Sequence, residues 1–277
     1  MPELPEVETV KRDLAKSVLG QRIDAVRILD ARVIRDIAPD QFKSRLKGRT
    51  IQDISRRGKA IICLLDQGYY LIVQLMMTGQ LVYLKALPDV LLKETKVIFT
   101  LSNGSHLIYN DQRLFGRLSL IQNLNDFKHF SLLGPEPFDQ TFNPGYIRET
   151  FKRKSGAVKS VLLDHTFVAG IGNIYASEIL FRSQVDPRRR ALSLKMAEIN
   201  RLHQITIEVL NEAIKWRGSS MRNYRDGQGQ KGRFNERIKV YAREDEPCEA
   251  CKKPITRIVQ GGRSTFFCKK CQKWRDA

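Results

Sequence analysis

Four cysteines near the C-terminal end constrain the fold more than any other feature of this 277-residue chain. They are Cys248, Cys251, Cys268 and Cys271, in the pattern C-x2-C-x16-C-x2-C. Each C-x2-C knuckle can turn two thiolates toward one ion, and the residues between the knuckles suffice for a β-hairpin that turns at Gly261 and Gly262. We therefore predict one structural zinc ion, because four thiolates leave no open position for a substrate.

Two disulfide bonds are the alternative for these cysteines, and disulfides belong to oxidising compartments. No secretory apolar segment follows Met1, and no run approaches the roughly 18 apolar residues of a membrane-spanning helix. We therefore expect reduced cysteines in a cytoplasmic protein. The fifth cysteine, Cys63, lies in the apolar run 61–65 and is expected to be a buried, unreactive thiol.

The charge balance points to a polyanionic partner. The chain has 48 Lys and Arg against 30 Asp and Glu, a formal net charge of +18. Such a field favours nucleic acid, and the lack of an apolar span disfavours a membrane protein. At 42% apolar and 28% charged residues the chain is globular rather than disordered, and its length predicts two domains.

Apolar periodicity divides the chain into a first part that is mainly strands and a later part that is mainly helices. Val7, Val10, Leu14 and Val18 recur at helical spacing, which predicts an N-terminal helix. Short β-rich stretches follow at 23–29, 50–55, 60–65, 69–75, 81–84, 97–101, 106–109 and 118–121. Later helices are predicted at 146–153, 157–164, 174–182 and 195–216. This order predicts an α+β fold that begins with a helix and a β-sandwich or flattened barrel.

The N-terminal Met1-Pro2-Glu3 is the first candidate for chemistry. Removal of Met1 would leave Pro2 with a free secondary amine, which is a nucleophile when it is neutral. Such an amine forms a cationic iminium with an aldehyde, and the adjacent Glu3 carboxylate could move protons. A disordered leader is the alternative reading of these residues.

Further residues fit contacts with DNA. Asn173 follows Gly172 before a predicted helix and is a candidate N-cap at a phosphate-binding helix end, although an ordinary helix–helix turn is the alternative. Arg263 follows the glycines of the zinc hairpin as a presented cation. Lys59 lies in a basic cluster before an apolar strand, and could equally be a solvated charge.

Three residues at strand ends could form a wedge in DNA. They are Met77, Arg113 and Phe115. By themselves they would be assigned to core and to a strand-end turn. An apolar wedge beside a cation is, however, what enters a duplex where a base has left the stack.

Several sequence blocks, taken in order, resemble the bacterial formamidopyrimidine-DNA glycosylase family. They are residues 2–8, 56–59, 111–116, 133–137, 170–175 and the zinc hairpin with 262–265. The resemblance runs from Met1 to Gln272. The block 2–6 is more similar to this family than to its sister family, endonuclease VIII, in which glycine usually replaces Leu4.

The resemblance implies a fold with an N-terminal helix on a two-sheet β-sandwich, a helix-two-turn-helix domain and a four-cysteine zinc-finger hairpin. The implied divisions are a catalytic helix and sandwich at 1–131, a linker at 132–145, the helix-two-turn-helix domain at 146–235 and the zinc finger at 236–277. Double-stranded DNA with an oxidised base or abasic site would lie in a cleft between the two halves. A monomer in the bacterial cytoplasm, associated with the nucleoid through DNA, is implied.

The implied activity is base-excision repair, in which oxidised purines such as 8-oxoguanine and formamidopyrimidines are removed and the strand is cut by β,δ-elimination. In the family's mechanism, Pro2 attacks the sugar to form a Schiff base and Glu3 moves protons. Lys59 assists at the lesion nucleotide, and Arg263 grips the flanking phosphates. Asn173 holds phosphate. The wedge residues Met77, Arg113 and Phe115 fill the space of the flipped base.

Other matches to the family are weaker. Residues 219–224 fall where the family has a lesion-recognition loop, and an ordinary surface loop is the alternative. The loop residues are Ser219, Ser220, Met221, Arg222, Asn223 and Tyr224. Tyr241 and Lys159 match DNA-contacting positions.

The chain also departs from the family pattern. Gln74 stands where the family usually has histidine, Glu94 interrupts a Lys-His-Asp-His run, and Arg217 replaces the first of two glycines before the loop. Two other functions remain open at this point. One is an endonuclease VIII-like glycosylase for oxidised pyrimidines, and the other is a non-catalytic zinc protein that binds damaged DNA.

Overall fold

The fold is described by a computed structural model that covers residues 1–219 and 224–274. Within these residues no helix is long and apolar enough to cross a membrane. The chain forms two compact units. The first unit contains Met1–Ser131 and Ile214–Asn235, and the second contains Leu132–Ala213 together with the residues from Glu236 onward.

The first unit begins with helix α1, Leu4–Val18. Pro5 lies in its first turn, where a missing N–H costs nothing, and Gly20 follows its end with a φ of 76°. Val7, Val10 and Leu14 are fully buried on one face, as the periodicity predicts. The helix therefore joins the core of this unit along its whole length.

Two sheets complete the first unit. The strands are β1 (Ile23–Ile28), β2 (Ile34–Arg35), β3 (Ile51–Arg57), β4 (Ala60–Leu65), β5 (Tyr70–Gln74), β6 (Gly79–Leu84), β7 (Thr95–Leu101), β8 (His106–Asp111) and β9 (Arg117–Ile121). One sheet has the order β1-β7-β8-β6, and the other has the order β2-β9-β5-β4-β3. The pairs are antiparallel except β2 with β9. Apolar side chains of both sheets and α1 form one core cluster, which confirms the predicted helix and two-sheet sandwich.

A short helix, α2 (Pro39–Leu46), and the two-residue strand β2 were not predicted from the sequence. Helix α2 has only two buried apolar side chains, Phe42 and Leu46. Two apolar positions are too few to reveal a helical period in the sequence. Its fold depends on packing: the Phe42 ring meets the Phe99 ring edge-on at 6.4 Å between centroids.

The second unit is mainly helical. After the four-residue helix α3 (Lys128–Ser131) at the end of the preceding segment come α4 (Pro144–Lys152), α5 (Val158–Leu162), α6 (Asn173–Arg182) and α7 (Met196–Lys215). Each of these last four helices begins within two residues of its predicted start. Rings of Phe142, Tyr146, Phe151 and Phe167 pack together between the helices. The α+β class is therefore confirmed.

The unit ends in a β-hairpin of β10 (Thr256–Gln260) and β11 (Arg263–Phe267). Gly261 and Gly262 form its two-residue turn with φ values of 54° and 71°, which is the left-handed pair that such tight turns require. The Gln272 amide fastens the end of the hairpin module, since it donates to the Val185 carbonyl and accepts from Cys268 N–H, both at 2.9 Å.

The compact units follow contacts within the structure, and the predicted domain divisions stay a prediction. The first unit ends at Ser131 and resumes with Ile214–Asn235, residues that the prediction assigns to the helix-two-turn-helix domain. The physical reason is a set of hydrogen bonds to α1 and β6, including Ser219 N–H to Glu6 at 2.6 Å and Tyr83 N–H to the Gly227 carbonyl at 2.8 Å. In addition, helix α4 begins at Pro144, inside the predicted linker.

Candidate active site and nucleic-acid interface

The N-terminal residues lie at the start of α1 in the first unit. Pro2 is buried and Glu3 is 4% exposed. Glu3 occupies the N-cap position, and its N–H donates to Glu6 Oε2 at 2.8 Å. Glu6 thus fixes the backbone that carries both predicted catalytic residues, because the carboxylate satisfies an N–H that the helix leaves open.

The second carboxylate oxygen of Glu6 reaches the predicted lesion-recognition loop. Glu6 Oε1 accepts the Ser219 N–H at 2.6 Å, and the Tyr224 hydroxyl donates to the Glu6 carbonyl at 3.3 Å. Gly218 permits this approach, since a Cβ there would lie 2.8 Å from Glu6 Cγ and its φ is 76°. Both ends of the loop therefore meet α1. Ser220, Met221, Arg222 and Asn223 lie outside the described residues.

Lys59 lies in the turn between β3 and β4 and is half-buried. The turn is tied to α1 through one arginine: Arg56 Nε donates to Glu8 Oε2 at 3.0 Å, and its Nη1 donates to the Gly58 carbonyl at 2.9 Å. Both side chains of the pair are about nine-tenths buried. The same helix therefore carries Pro2 and Glu3 and fixes the backbone next to Lys59.

Met77, Arg113 and Phe115 come together on the surface of the first unit. The Arg113 guanidinium lies over the Phe115 ring, 4.6 Å from its centroid, and its Nη1 is 3.3 Å from the Met77 sulfur. Met77 is 38% exposed and Phe115 is 47% exposed, high values for large apolar side chains. A cation stacked on one apolar group and touching another is a suitable wedge for a duplex.

Asp111 holds the two turns that carry this wedge. Its Oδ1 accepts the Thr78 hydroxyl at 2.5 Å and the Arg113 N–H at 3.2 Å, and its Oδ2 accepts the Gly116 N–H at 2.7 Å. Asp111 is fully buried. Leu114 has a φ of 58°, a strained value for a branched side chain that these contacts hold in place.

In the second unit, two predicted DNA-binding residues brace the zinc hairpin. Lys159 is 1% exposed, and its Nζ donates to the Ser264 carbonyl at 3.0 Å and to Thr265 Oγ1 at 2.7 Å. The Asn173 amide donates to the same Ser264 carbonyl at 2.9 Å. The two side chains thus fix the strand residues that follow Arg263.

The predicted N-cap at Asn173 was wrong. Gly172 is the N-cap of α6, and Asn173 is the first residue of the helix. The Asn173 side chain bonds to the hairpin and does not cap its own helix. Helix α6 therefore begins without a side-chain cap.

Arg263 and Tyr241 complete the predicted set in this unit. Arg263 is exposed at the start of β11, directly after the hairpin turn. The Tyr241 ring meets the Phe266 ring edge-on at 5.2 Å between centroids. Its backbone N–H donates to Glu178 Oε1 at 3.0 Å, and the same carboxylate accepts Lys239 and Val240 N–H groups. Burial raises the pKa of Glu178, while these N–H donors act in the opposite direction.

The predicted cysteine cluster is confirmed. The ligand atoms of Cys248, Cys251, Cys268 and Cys271 all lie within 4.8 Å of one another, and the cysteines are free rather than disulfide-bonded. Sulfur–sulfur separations of 3.4 and 3.8 Å are close to the roughly 3.8 Å that a tetrahedral ion with about 2.3 Å zinc–sulfur bonds requires. The residues therefore fit a tetrathiolate zinc site. The fifth cysteine is buried as predicted, and burial raises the pKa of Cys63 to about 12.

Sequence reasoning missed the carboxylates that position the site. Glu6, Asp111 and Glu178 were not assigned roles, nor were Asp13 and Asp226, two buried carboxylates that both pair with Arg217. Acidic residues in a chain with a net charge of +18 are candidates for structural pairing, and Asp111 stands two residues before Arg113. Their partners, however, lie far away in sequence, as with Glu6 and Ser219.

Comparison with known families covers most of the chain. Residues 1–118 match the model of the formamidopyrimidine-DNA glycosylase N-terminal domain, and residues 133–225 match that of the H2TH domain of the same glycosylase. Residues 245–273 match a zinc finger found in FPG and IleRS.

Relatives and solved structures agree with these matches. The formamidopyrimidine-DNA glycosylase of Desulforamulus reducens is 43% identical over 277 residues, and that of Halalkalibacterium halodurans is 42% identical over 276 residues. Each alignment covers 99% of this chain and at least 99% of the relative. Lactococcus lactis Fpg in complex with abasic-site DNA is 36% identical with a TM-score of 0.91, over 98% of this chain and 100% of that one. The same protein with Fapy-dG DNA gives 35% and 0.90, at the same coverage.

Proposed function

Because this chain belongs to the formamidopyrimidine-DNA glycosylase family, it is a DNA glycosylase and abasic-site lyase for oxidised purines, and we propose that Pro2 supplies the reacting amine. The observation that carries this assignment is the position of Pro2 and Glu3 at the start of α1, where Glu6 fixes their backbone. The rival functions, a pyrimidine-specific glycosylase and a non-catalytic binder, have no comparable support.

The reaction begins when removal of Met1 frees the Pro2 nitrogen. The neutral amine attacks C1′ of the damaged nucleoside, the C1′–N bond breaks, and the base leaves with a proton. The sugar ring opens to give an iminium ion linking Pro2 to C1′. Glu3 is the nearest carboxylate along the chain and moves protons to and from the opening sugar.

Strand cleavage follows from the charge on that nitrogen. The iminium acidifies the C2′ proton, and its removal expels the 3′ phosphate. A second elimination expels the 5′ phosphate, and water then releases the sugar fragment from Pro2. Lys59 assists at the lesion nucleotide. Arg263 holds the flanking phosphates in position for the second step, since a guanidinium can bind phosphate through two parallel hydrogen bonds.

The remaining site residues bind DNA before the chemistry begins. Met77, Arg113 and Phe115 fill the space of the extruded nucleotide, and Arg113 contacts the partner base. This lowers the few kcal/mol that base flipping costs. Asn173 and Tyr241 contact phosphate, and residues 219–224 contact the damaged base. The burial of Lys159 supports a positioning role through the hairpin rather than direct contact with DNA.

Borohydride trapping on abasic-site DNA tests the role of Pro2. We expect the wild type to form a covalent adduct by reduction of the iminium, and Pro2→Gly to lose most of it. Pro5→Gly is the matched control, because it changes a proline of the same segment that carries no free amine. A wild type that binds the DNA without forming an adduct would instead be a binding protein. Equal trapping in Pro2→Gly and the wild type would show that another amine reacts.

A cleavage panel tests the lesion class. Duplexes with 8-oxoguanine or formamidopyrimidine are expected to be cut much faster than a duplex with thymine glycol. The opposite order would assign the chain to pyrimidine repair.

One zinc ion is proposed for the four cysteines, with the structural role of holding the hairpin that carries Arg263. Metal analysis is expected to give one zinc per chain, and Cys268→Ser to lower that ratio. Cys63→Ser is the control, since Cys63 lies in the other unit. The protein is further proposed to act as a monomer in the bacterial cytoplasm, where the DNA is.

A further inference from the structure

Arg217 adopts a backbone conformation that normally selects glycine. Its φ is 63°, in the left-handed region where a side chain is disfavoured. The following residue, Gly218, also has a positive φ, of 76°. An arginine at this place needs contacts that compensate for the strain, and the structure supplies them on two sides of its guanidinium.

Two carboxylates share the Arg217 guanidinium. Its Nη2 lies 2.5 Å from Asp13 Oδ2 and 2.6 Å from Asp226 Oδ2, and its Nε lies 2.8 Å from Asp226 Oδ2. Asp13 is 4% exposed and Asp226 is fully buried. Two buried carboxylates so close together require a cation between them, because each would otherwise raise the energy of the other.

These three residues connect both ends of the lesion-recognition loop to α1. Arg217 lies two residues before Ser219, and Asp226 lies two residues after Tyr224. Asp13 belongs to α1, the helix that starts directly after Pro2 and Glu3. The other Asp226 oxygen, Oδ1, accepts the N–H groups of Gln228 and Gln230, at 3.0 and 2.8 Å. One ion cluster therefore fixes the chain on both sides of the loop.

The packing around the cluster leaves no room for added side-chain atoms. A Cβ on Gly227 would lie 2.7 Å from Asp13 Cβ, and a Cβ on Gly232 would lie 2.3 Å from the carbonyl oxygens of Arg217 and Gly218. These distances are far below van der Waals contact, so glycine is required at both places. The segment is thus held against α1 by close backbone approach as well as by charge.

We propose that Arg217 is a specificity-determining positioning residue, which fixes Ser219 and Tyr224, the described residues at the two ends of the predicted lesion-recognition loop, against α1. This rests on the proposed function of that loop. Arg217 does not touch the reacting atoms, and the amine chemistry at Pro2 does not require it. Removal of the cluster should therefore impair excision of a damaged base and spare cleavage at a site where the base is already gone.

Arg217→Gly is the variant that separates these steps. Glycine accepts a φ of 63° without strain, so the backbone conformation is retained while the cross-link is lost. Single-turnover rates are measured on an 8-oxoguanine duplex and on the same duplex with a preformed abasic site. We expect excision to fall about ten- to a hundredfold, since small misplacement of binding groups has effects of that size. Abasic-site cleavage and borohydride trapping should change less than about twofold.

The ratio of the two rates distinguishes positioning from a loss of folded protein, because a smaller folded fraction lowers both rates equally. Arg32→Ala is the matched control: this exposed arginine also pairs with a carboxylate, Asp30. The double variant Arg217→Gly/Asp13→Asn neutralises one of the two carboxylates that lose their cation, and so relieves their mutual repulsion. It should recover part of the thermal stability without recovering excision.

Two results would overturn the inference. One is unchanged 8-oxoguanine excision in Arg217→Gly, and the other is a parallel fall of both rates in the single and the double variant. A wild type that cleaves abasic DNA but excises neither 8-oxoguanine nor formamidopyrimidine would contradict the proposed lesion class itself, and the inference with it.

Discussion

Glu8 lies in α1, the helix that begins directly after Pro2 and Glu3, and Arg56 connects it to the turn that contains Lys59. Burial alone would raise the pKa of Glu8, but hydrogen bonds from Arg12, Arg56 and Lys11 outweigh it and hold the pKa below its ordinary value of 4.5. The folded-state pKa is the lower one, so the carboxylate contributes stability above pH 4.5, and this contribution is lost as the pH falls through the folded-state pKa.

We expect Glu8→Gln to lower the free energy of unfolding by about 1–2 kcal/mol at pH 7, because charge-assisted hydrogen bonds are weakened. The difference from wild type should shrink as the pH falls below 4.5. Urea unfolding at neutral and at acidic pH measures it. Glu149→Gln is the control, since its partner Lys152 is exposed and no measurable change is expected. A difference that is the same at both pH values would show that shape rather than charge matters at Glu8.

Gly116 is a second residue on which the site depends. A Cβ at this position would lie 1.6 Å from the Tyr109 hydroxyl and 3.0 Å from an Asp111 oxygen. The turn that carries Arg113 and Phe115 can therefore follow its path only with glycine here. Asp111 is the residue that links this turn to the one that carries Met77.

Gly116→Ala is expected to destabilise the fold by about 1–3 kcal/mol, as overpacking in a close-packed region does. Thermal unfolding measures the effect. Gly156→Ala is the control, because a Cβ there meets nothing within 4 Å. The double variant with Tyr109→Phe removes the colliding oxygen and should recover most of the loss. If it recovers nothing, the collision is not the cause.

The residues proposed for chemistry lie in contiguous motifs, whereas the residues that position them do not. The four cysteines could be assigned from spacing and thiolate chemistry, but Pro2 and Glu3 remained candidates until the family resemblance was considered, and their roles stay a prediction. Lys159 was predicted as a cation for DNA, yet its ammonium is buried against Thr265, 106 positions along the chain. No local pattern encodes a pairing over that distance.

At the scale of secondary-structure elements, the zinc hairpin is held in position by side chains from helices α5 and α6. Lys159 and the Asn173 amide both donate to the Ser264 carbonyl, one residue after Arg263. The hairpin is thus braced at its strand as well as at its cysteines. The direction in which Arg263 is presented should depend on this brace.

Lys159→Met keeps much of the buried side-chain volume and removes the donor. We expect weaker binding of abasic DNA, by about tenfold, together with a larger share of product from the first elimination alone, because Arg263 is less well held. Lys152→Met is the control, since this exposed lysine pairs only with Glu149 among the described contacts. Unchanged affinity and product ratio would show that the cysteines alone fix the hairpin.

Secondary structure followed from the sequence where periodicity was strong. Strand β4 has the predicted bounds, and α1, with its buried Val7 and Leu14, was evident from spacing. Helix α2 was missed because it has too few apolar positions to reveal a period. The N-cap of α6 was shifted by one residue because Asn173 bonds to the hairpin, a tertiary contact that overrides local capping preference.

At the scale of the whole molecule, charge governs the encounter with DNA. The net charge is +18, and the proposed phosphate contacts include Arg263, Asn173 and Tyr241. Phosphate binding releases counterions, so affinity falls steeply with salt.

The affinity of the Pro2→Gly variant for an abasic duplex is expected to fall by about a thousandfold between roughly 50 and 200 mM salt. This variant is used because, without the Pro2 ring amine, we expect it to bind the duplex without cutting it. Fluorescence anisotropy on labelled duplex measures the slope, and Arg263→Ala should make it shallower by about one phosphate contact. A fall of less than about tenfold would contradict binding through the phosphate backbone.

The chain passes between its two units three times, leaving the first after Ser131, returning at Ile214 and leaving again after Asn235. A ribosome must therefore deliver Asn235 before the first unit is complete, although most of that unit has emerged long before. The second unit is complete only later, because its last cysteine is Cys271. Neither unit is one continuous stretch of the chain, and a fragment ending at Ser131 would lack Arg217 and leave the buried Asp13 carboxylate without its partner.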